Sequence, residues 1–167
     1  MGVDRAGIVE VSLVSTPQEL GLELPEFTPL PSDLPFGLYT RSGSILYLSG
    51  HIPDIAGSPP IRGRLGDELN LEEGRAAARS VALNLISTLG HATGDLNRVT
   101  RILKLTGFVS SSDDFTSQPE VINAASEVFV ALWGKSGLHA RSAVGVNQLP
   151  FGVPVEIELI AELDDSS

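Results

Sequence analysis

Apolar residues recur at helical spacing in two stretches of the chain. Ala77, Ala78, Val81, Ala82, Leu85 and Leu89 form one stripe, and Val121, Ile122, Ala125, Val128, Phe129 and Leu132 form the other. Each stripe follows a capping signature. Asn70-Leu71-Glu72-Glu73 offers Asn70 as cap with Glu73 three residues on, and Ser117-Gln118-Pro119-Glu120 repeats the arrangement with proline early in the first turn. Glycines close both helices, Gly90 and Gly94 the first and Gly134 the second. Runs of strand character lie at 44–49, 99–109, 140–146 and 153–163, the last two joined by a short loop over 147–152. The adjacent Ile102 and Leu103 suggest that the 99–109 strand is buried on both faces.

The N-terminal third is less regular. A short strand is predicted over 8–14, then a helix start at Thr16-Pro17-Gln18-Glu19, a proline-rich loop over 25–36 and a long surface loop over 54–69. Residues 1–33 read as an extension and 34–167 as the single domain. The predicted order β-β-loop-α-β-α-β-β implies an α+β fold, a mixed sheet with both helices on one face. The other sheet face still carries Val, Leu and Ile, and oligomerisation would cover it.

Strand alternation points to candidate chemistry. If the 140–146 and 153–163 strands pair antiparallel with Val144, Val146, Val155, Ile157 and Leu159 on one face, then Arg141, Ala143 and Gly145 share the other with Glu156 and Glu158. One reading is a cross-strand ion pair on a solvated face, worth roughly 0–1 kcal/mol. The other is an anion pocket, in which small neighbours leave room for the guanidinium to grip a carboxylate through two parallel hydrogen bonds.

Composition narrows the field. The chain has 21 acidic and 11 basic residues, a net charge of −10, which disfavours a nucleic-acid partner. It has no cysteine, so disulfides and thiolate chemistry are excluded. His51, His91 and His139 lack ligand spacing, and neither a metal nor a cofactor is expected. No basic-then-apolar leader and no stretch of membrane-spanning length is visible, so a cytoplasmic protein with no membrane partner is expected.

The run from His139 to Glu162 contains A-R-S-x-V-x-V-x-x-L-P followed by V-E-I-E, and it resembles the C-terminal signature of the RidA-like (YjgF-type, endoribonuclease L-PSP-like) family. Leu48-Ser-Gly-His-Ile-Pro53 and the helix segment from Val121 to Phe129 resemble two further family motifs, so the likeness spans about residues 34 to 163. The resemblance implies a chorismate-mutase-like fold, a homotrimer, and clefts between subunits where 2-imino or enamino acids are hydrolysed to keto acids and ammonia. By position it implies that Arg141 holds the substrate carboxylate, that Glu156 positions the hydrolytic water, and that Gly50 and Asn123 line the cleft. Two positions depart from the pattern: Ala143 stands where deaminases of the family commonly have cysteine, and Phe36 where they have tyrosine. Those departures keep open a second reading, a non-catalytic trimeric binder of small carboxylate metabolites.

Overall fold

The computed structural model describes residues 13–53 and 61–164. It contains five strands, β1 (Tyr39–Ser42), β2 (Ile45–His51), β3 (Val99–Ser110), β4 (Ala140–Val146) and β5 (Val155–Leu163), and two long helices, α1 (Leu71–Thr93) and α2 (Gln118–Trp133). The strands form one mixed sheet in the order β1-β2-β5-β3-β4. Most of the predicted strand over 8–14 and the first part of the 54–69 loop lie outside the described residues.

Both helices begin and end near the expected places. At α1 the capping box is complete: the Glu73 amide donates to the Asn70 side chain and the Asn70 amide donates to the Glu73 carboxylate. Gly90 does not stop the helix. The helix runs one turn further to Gly94, whose φ of 73° supplies the left-handed cap that a residue with a Cβ adopts only at a cost. At α2 Ser117 makes no capping bond to the backbone; its hydroxyl donates to Glu120 instead. Thr16 and Glu19 do form reciprocal bonds, yet the chain leaves after a single turn at Gly21, whose φ is 62°. Pro25 soon after bars a continuing helix.

The apolar stripes of both helices are buried against the sheet. Odd-numbered residues of β5, from Val155 to Leu163, are fully covered, whereas Glu156, Glu158, Ile160 and Glu162 face the other way. That second face carries no helix and leaves Tyr47 and Val144 exposed. None of the helices among the described residues is long and apolar enough to cross a membrane. The 13–38 segment is tied to the body. The Val14 amide donates to the Leu132 carbonyl, the Ser87 hydroxyl donates to the Pro25 carbonyl, and Phe27 stacks on His91 at 3.7 Å.

Two features of the sheet differ from the expected order. The strand β1 is absent from the pattern-based reading because Tyr-Thr-Arg-Ser has no apolar alternation; its pairing with β2 through a tight turn at Gly43 makes it a strand. More important, β4 does not pair with β5. It runs parallel to β3, with Arg141 opposite Leu105, and β3 pairs antiparallel with β5, with Leu105 opposite Leu159. The helix α2 is the crossover of a β-α-β unit, and such a crossover returns the chain parallel to the strand it left. The 147–152 loop then carries the chain past β3, a step of roughly 10 Å at ordinary strand spacing.

Gly137 sits where α2 hands over to β4. A methyl group there would meet the carbonyl oxygen of Phe129 and come within 2.7 Å of its carbonyl carbon, backbone atoms that cannot rotate away. Gly137→Ala is expected to lower stability by about 1–3 kcal/mol, read as a reduced midpoint in urea unfolding.

Candidate active site

Changing the strand order moves the candidate residues apart. Arg141, Ala143 and Gly145 lie in the row of β4 that faces the helices, alongside Leu105, Gly107 and Val109. Glu156 lies in the opposite row of β5, in register with Phe108 and, through it, Val144. The expected shared face for Arg141 and Glu156 is therefore wrong within one chain. One strand separates them and they project to opposite sides of the sheet.

Arg141 is half-buried at the sheet edge, against α2. Its Nη1 donates to Asn123 Oδ1 at 2.8 Å and to Ser126 Oγ at 3.1 Å. Asn123 and Ser126 are three residues apart and so share a helix face. Ser126 Oγ in turn lies 3.1 Å from His139 Nε2, and His139 Nδ1 lies 2.7 Å from the Gly137 carbonyl. A carbonyl can only accept, so Nδ1 carries the proton, and in the neutral ring Nε2 accepts from the Ser126 hydroxyl. Burial holds the His139 pKa below its ordinary value, and the Arg141 charge adds to that, which favours this neutral form. Nη2 and Nε of Arg141 have no partner among the described residues, and none of their carboxylates pairs with it. One edge of the guanidinium is fixed while the other is available to an anion.

Gly50, Phe36 and Glu156 come together elsewhere, on a cavity of about 690 Å³ between α1, the end of β2 and the 25–38 segment. A bulge between Leu48 and His51 breaks the β2–β5 register at Gly50. The missing side chain matters there, because a Cβ on Gly50 would fall on Glu156 Oε1. Among the described residues nothing hydrogen-bonds the Glu156 carboxylate. Burial, with the nearby Glu158 charge as a smaller cause, raises its pKa above the ordinary 4.5. His51 forms part of the wall. Its Nδ1 donates to the Ser49 carbonyl, its Nε2 lies 2.8 Å from Thr88 Oγ1, and burial lowers its pKa, which favours the neutral ring accepting from that hydroxyl.

Ala143 packs beside the core two residues beyond Arg141 and borders neither cavity. A second, smaller hollow of about 260 Å³ lies further along β4 at Gly145, lined by Ser111, Asp113, Phe115 and Gln118. Sequence reasoning assigned no part in the site to Ser126 or His139 as supports of Arg141. The spacing Asn123-x-x-Ser126 was the available signal. It also missed the cavity walls supplied by Phe27, Leu34 and Phe151, which leave no periodic pattern.

The chain matches a family described as "YjgF/chorismate mutase-like, putative endoribonuclease" over residues 13–163. It is 42% identical to Protein TCP17 of Trypanosoma cruzi over 168 residues, which cover 99% of this chain and all of that protein. Among solved structures it is similar to Atu1372 of Agrobacterium tumefaciens, a protein of unknown function, with 37% identity, 88% and 90% of the two chains covered and a TM-score of 0.80. It is also similar to E. coli TdcF with bound serine, with 25% identity, 84% and 94% covered and a TM-score of 0.57.

The raised pKa of Glu156 has a measurable consequence. The folded state binds this proton more tightly than the unfolded chain, so the neutral carboxyl favours folding fully below the ordinary value and loses that advantage as pH rises through the raised one. Thermal unfolding of Glu156→Gln is expected to match the parent below about pH 4 and to exceed it near pH 7.

Proposed function

The chain belongs to the YjgF/chorismate-mutase-like family, and on that footing we propose that it hydrolyses 2-imino or enamino acids to keto acids and ammonium in clefts shared between the subunits of a homotrimer. One observation carries the reading. A guanidinium with a free edge and a carboxylate with no hydrogen-bond partner lie on opposite faces of one sheet. They can therefore act on one small molecule only across a subunit boundary. The uncovered sheet face, with Tyr47 and Val144 each 43% exposed, supplies apolar surface for that boundary, and β4 is an edge strand, so Arg141 lies where a neighbour can reach it. The similarity to TdcF, whose structure holds serine, supports a ligand of carboxylate chemistry.

In this reading Arg141 of one subunit takes the substrate carboxylate on its two unused nitrogens, held in place by Asn123, Ser126 and His139. Glu156 of the next subunit orients water against the iminium carbon. As the C–O bond forms, the C=N pair moves to nitrogen and a water proton passes to Glu156. The carboxyl then returns that proton to nitrogen. The C–N bond breaks as the carbonyl forms, and the hydroxyl proton leaves with ammonia as ammonium. Iminium and water thus become keto acid and ammonium. A carboxylate whose pKa is raised toward the working pH is the better base for this step.

A non-catalytic binder of the same ligands is the second reading. It is favoured by Ala143 and Phe36, side chains that bring neither a thiol nor a hydroxyl. Ribonuclease chemistry is disfavoured by charge. The net charge is −10, and Arg64, Arg75 and Arg98 are each paired with a carboxylate.

Mixing subunits tests the shared cleft. Arg141→Ala and Glu156→Gln homo-oligomers are each expected to lose at least about a hundredfold in ammonia release. Co-refolding them as an equal mixture should restore roughly a quarter of the parental rate, because each mixed trimer retains one cleft with both native residues. A mixture as inactive as its parts would exclude a cleft that takes Arg141 from one subunit and Glu156 from the next, and ligand binding without turnover in the parent would select the binder.

A further inference from the structure

We infer that the cavity beside Glu156 is a side-chain subsite, and that the preferred substrates are 2-imino acids bearing a bulky apolar side chain, aromatic or branched. The inference rests on the hydrolytic reading above and adds the substrate class. A cavity of about 690 Å³ is far larger than an alanine- or serine-sized ligand fills, and lies in the range that holds drug-sized molecules. Its walls are mainly apolar, built by Phe27, Leu30 and Leu34 of the 25–38 segment with Leu38 and Ile52.

The polar side chains that reach it from α1 and β2 direct their hydrogen bonds into the protein. Asn84 donates to the Ile52 carbonyl, Ser87 to the Pro25 carbonyl, and Thr88 is engaged with His51. Two carboxylates border the cavity with no hydrogen bond among the described residues: Glu26, exposed on the 25–38 segment, and the half-buried Glu156, at the end where the reacting carbon would sit. A ligand suited to such walls has an apolar body with its reacting polar group at the Glu156 end.

The mouth carries the same chemistry. Phe36 is 57% exposed, Phe151 is 72% exposed and Leu34 is 40% exposed, and all three border the cavity. Apolar side chains left in solvent around one opening mark a binding site more often than scattered ones do. Phe151 is also the one described non-glycine residue with a left-handed backbone, at φ 59° and ψ 7°. An aromatic residue in that region is strained, and such strain concentrates at functional positions. The walls are held by the protein's own contacts. Pro25, Pro29 and Pro31 stiffen the segment, and it is fastened at Ser87, at the Phe27–His91 stack, and by the Ser49 amide and hydroxyl donating to the Leu38 and Gly37 carbonyls.

Steady-state hydrolysis of imino acids released in situ by an amino-acid oxidase tests this. The kcat/KM for imino acids from leucine and phenylalanine is expected to exceed that for the one from alanine by about 10- to 100-fold. Leu34→Ser, a change at a half-exposed loop position, should narrow the phenylalanine-to-alanine ratio about tenfold. Equal or reversed selectivity, or a ratio untouched by Leu34→Ser, overturns the subsite while leaving hydrolysis standing. Calorimetry with the keto acids separates the two inferences. Absence of turnover on every imino acid, with phenylpyruvate still bound at least about tenfold more tightly than pyruvate, overturns hydrolysis and supports the subsite. Absence of turnover with no such preference overturns both.

Discussion

The β-α-β crossover through α2 is the constraint from which the rest of this structure follows. A chain that leaves β3, forms a sixteen-residue helix on one face of the sheet and returns parallel has to land beside the strand it left. With β5 already antiparallel on the other side of β3, β4 becomes the sheet edge. Arg141 is consequently at an edge of the sheet, backed by the helix that made the crossover, and its charge can face a second molecule. Had β4 paired with β5, the arginine and Glu156 would have formed an ordinary surface ion pair with little left over for a ligand.

The same crossover explains why support for Arg141 comes from α2 rather than from neighbouring strands. Asn123 and Ser126 lie one turn apart on the helix directly above it, and His139 lies two residues before it, just ahead of β4. The proton on His139 Nδ1, pinned by a carbonyl, orients the ring and the Ser126 hydroxyl in turn, so the guanidinium is held from one side by a series of bonds with a defined direction. Preorganisation of this kind reduces the ordering cost of gripping a carboxylate. Gly50 plays the matching part for Glu156. The bulge and the absent side chain open the space that the carboxylate occupies.

Local signals were legible and long-range ones were not. Both helical stripes, the Asn70 cap and the Gly134 stop could be read from spacing, because each depends on residues within a few positions of one another. The strands of the core could be read for the same reason. Strand partners could not, since alternation tells which side chains share a face but not which strand lies next door. That is how Arg141 and Glu156 came to be placed on one face of a single chain in error. β1 escaped notice because edge strands need no apolar alternation, and Gly90 misled because a glycine inside a helix and one at its end look alike in sequence. The residues carrying the site motifs were nevertheless visible, since the local pattern around Arg141 and Glu156 is specific even where its geometry is not.

The departures from the family pattern and the shape of the cavity point the same way. Phe36 brings a ring and no hydroxyl to the cavity, whereas Ala143 does not border it. If these changes merely disabled a site, the surrounding walls would have no reason to remain complementary to anything. Instead the proline-stiffened segment, the leucines within it and the strained Phe151 continue the apolar surface outward from Phe36 to the mouth. The chain also carries the two groups the proposed hydrolysis would use: an arginine with an open edge and a carboxylate shielded enough to have its pKa raised. Under the proposed hydrolysis, charge lies where the reaction would need it and apolar surface where a side chain would lie, which fits a substrate with a bulky apolar group better than a site that has merely been disabled.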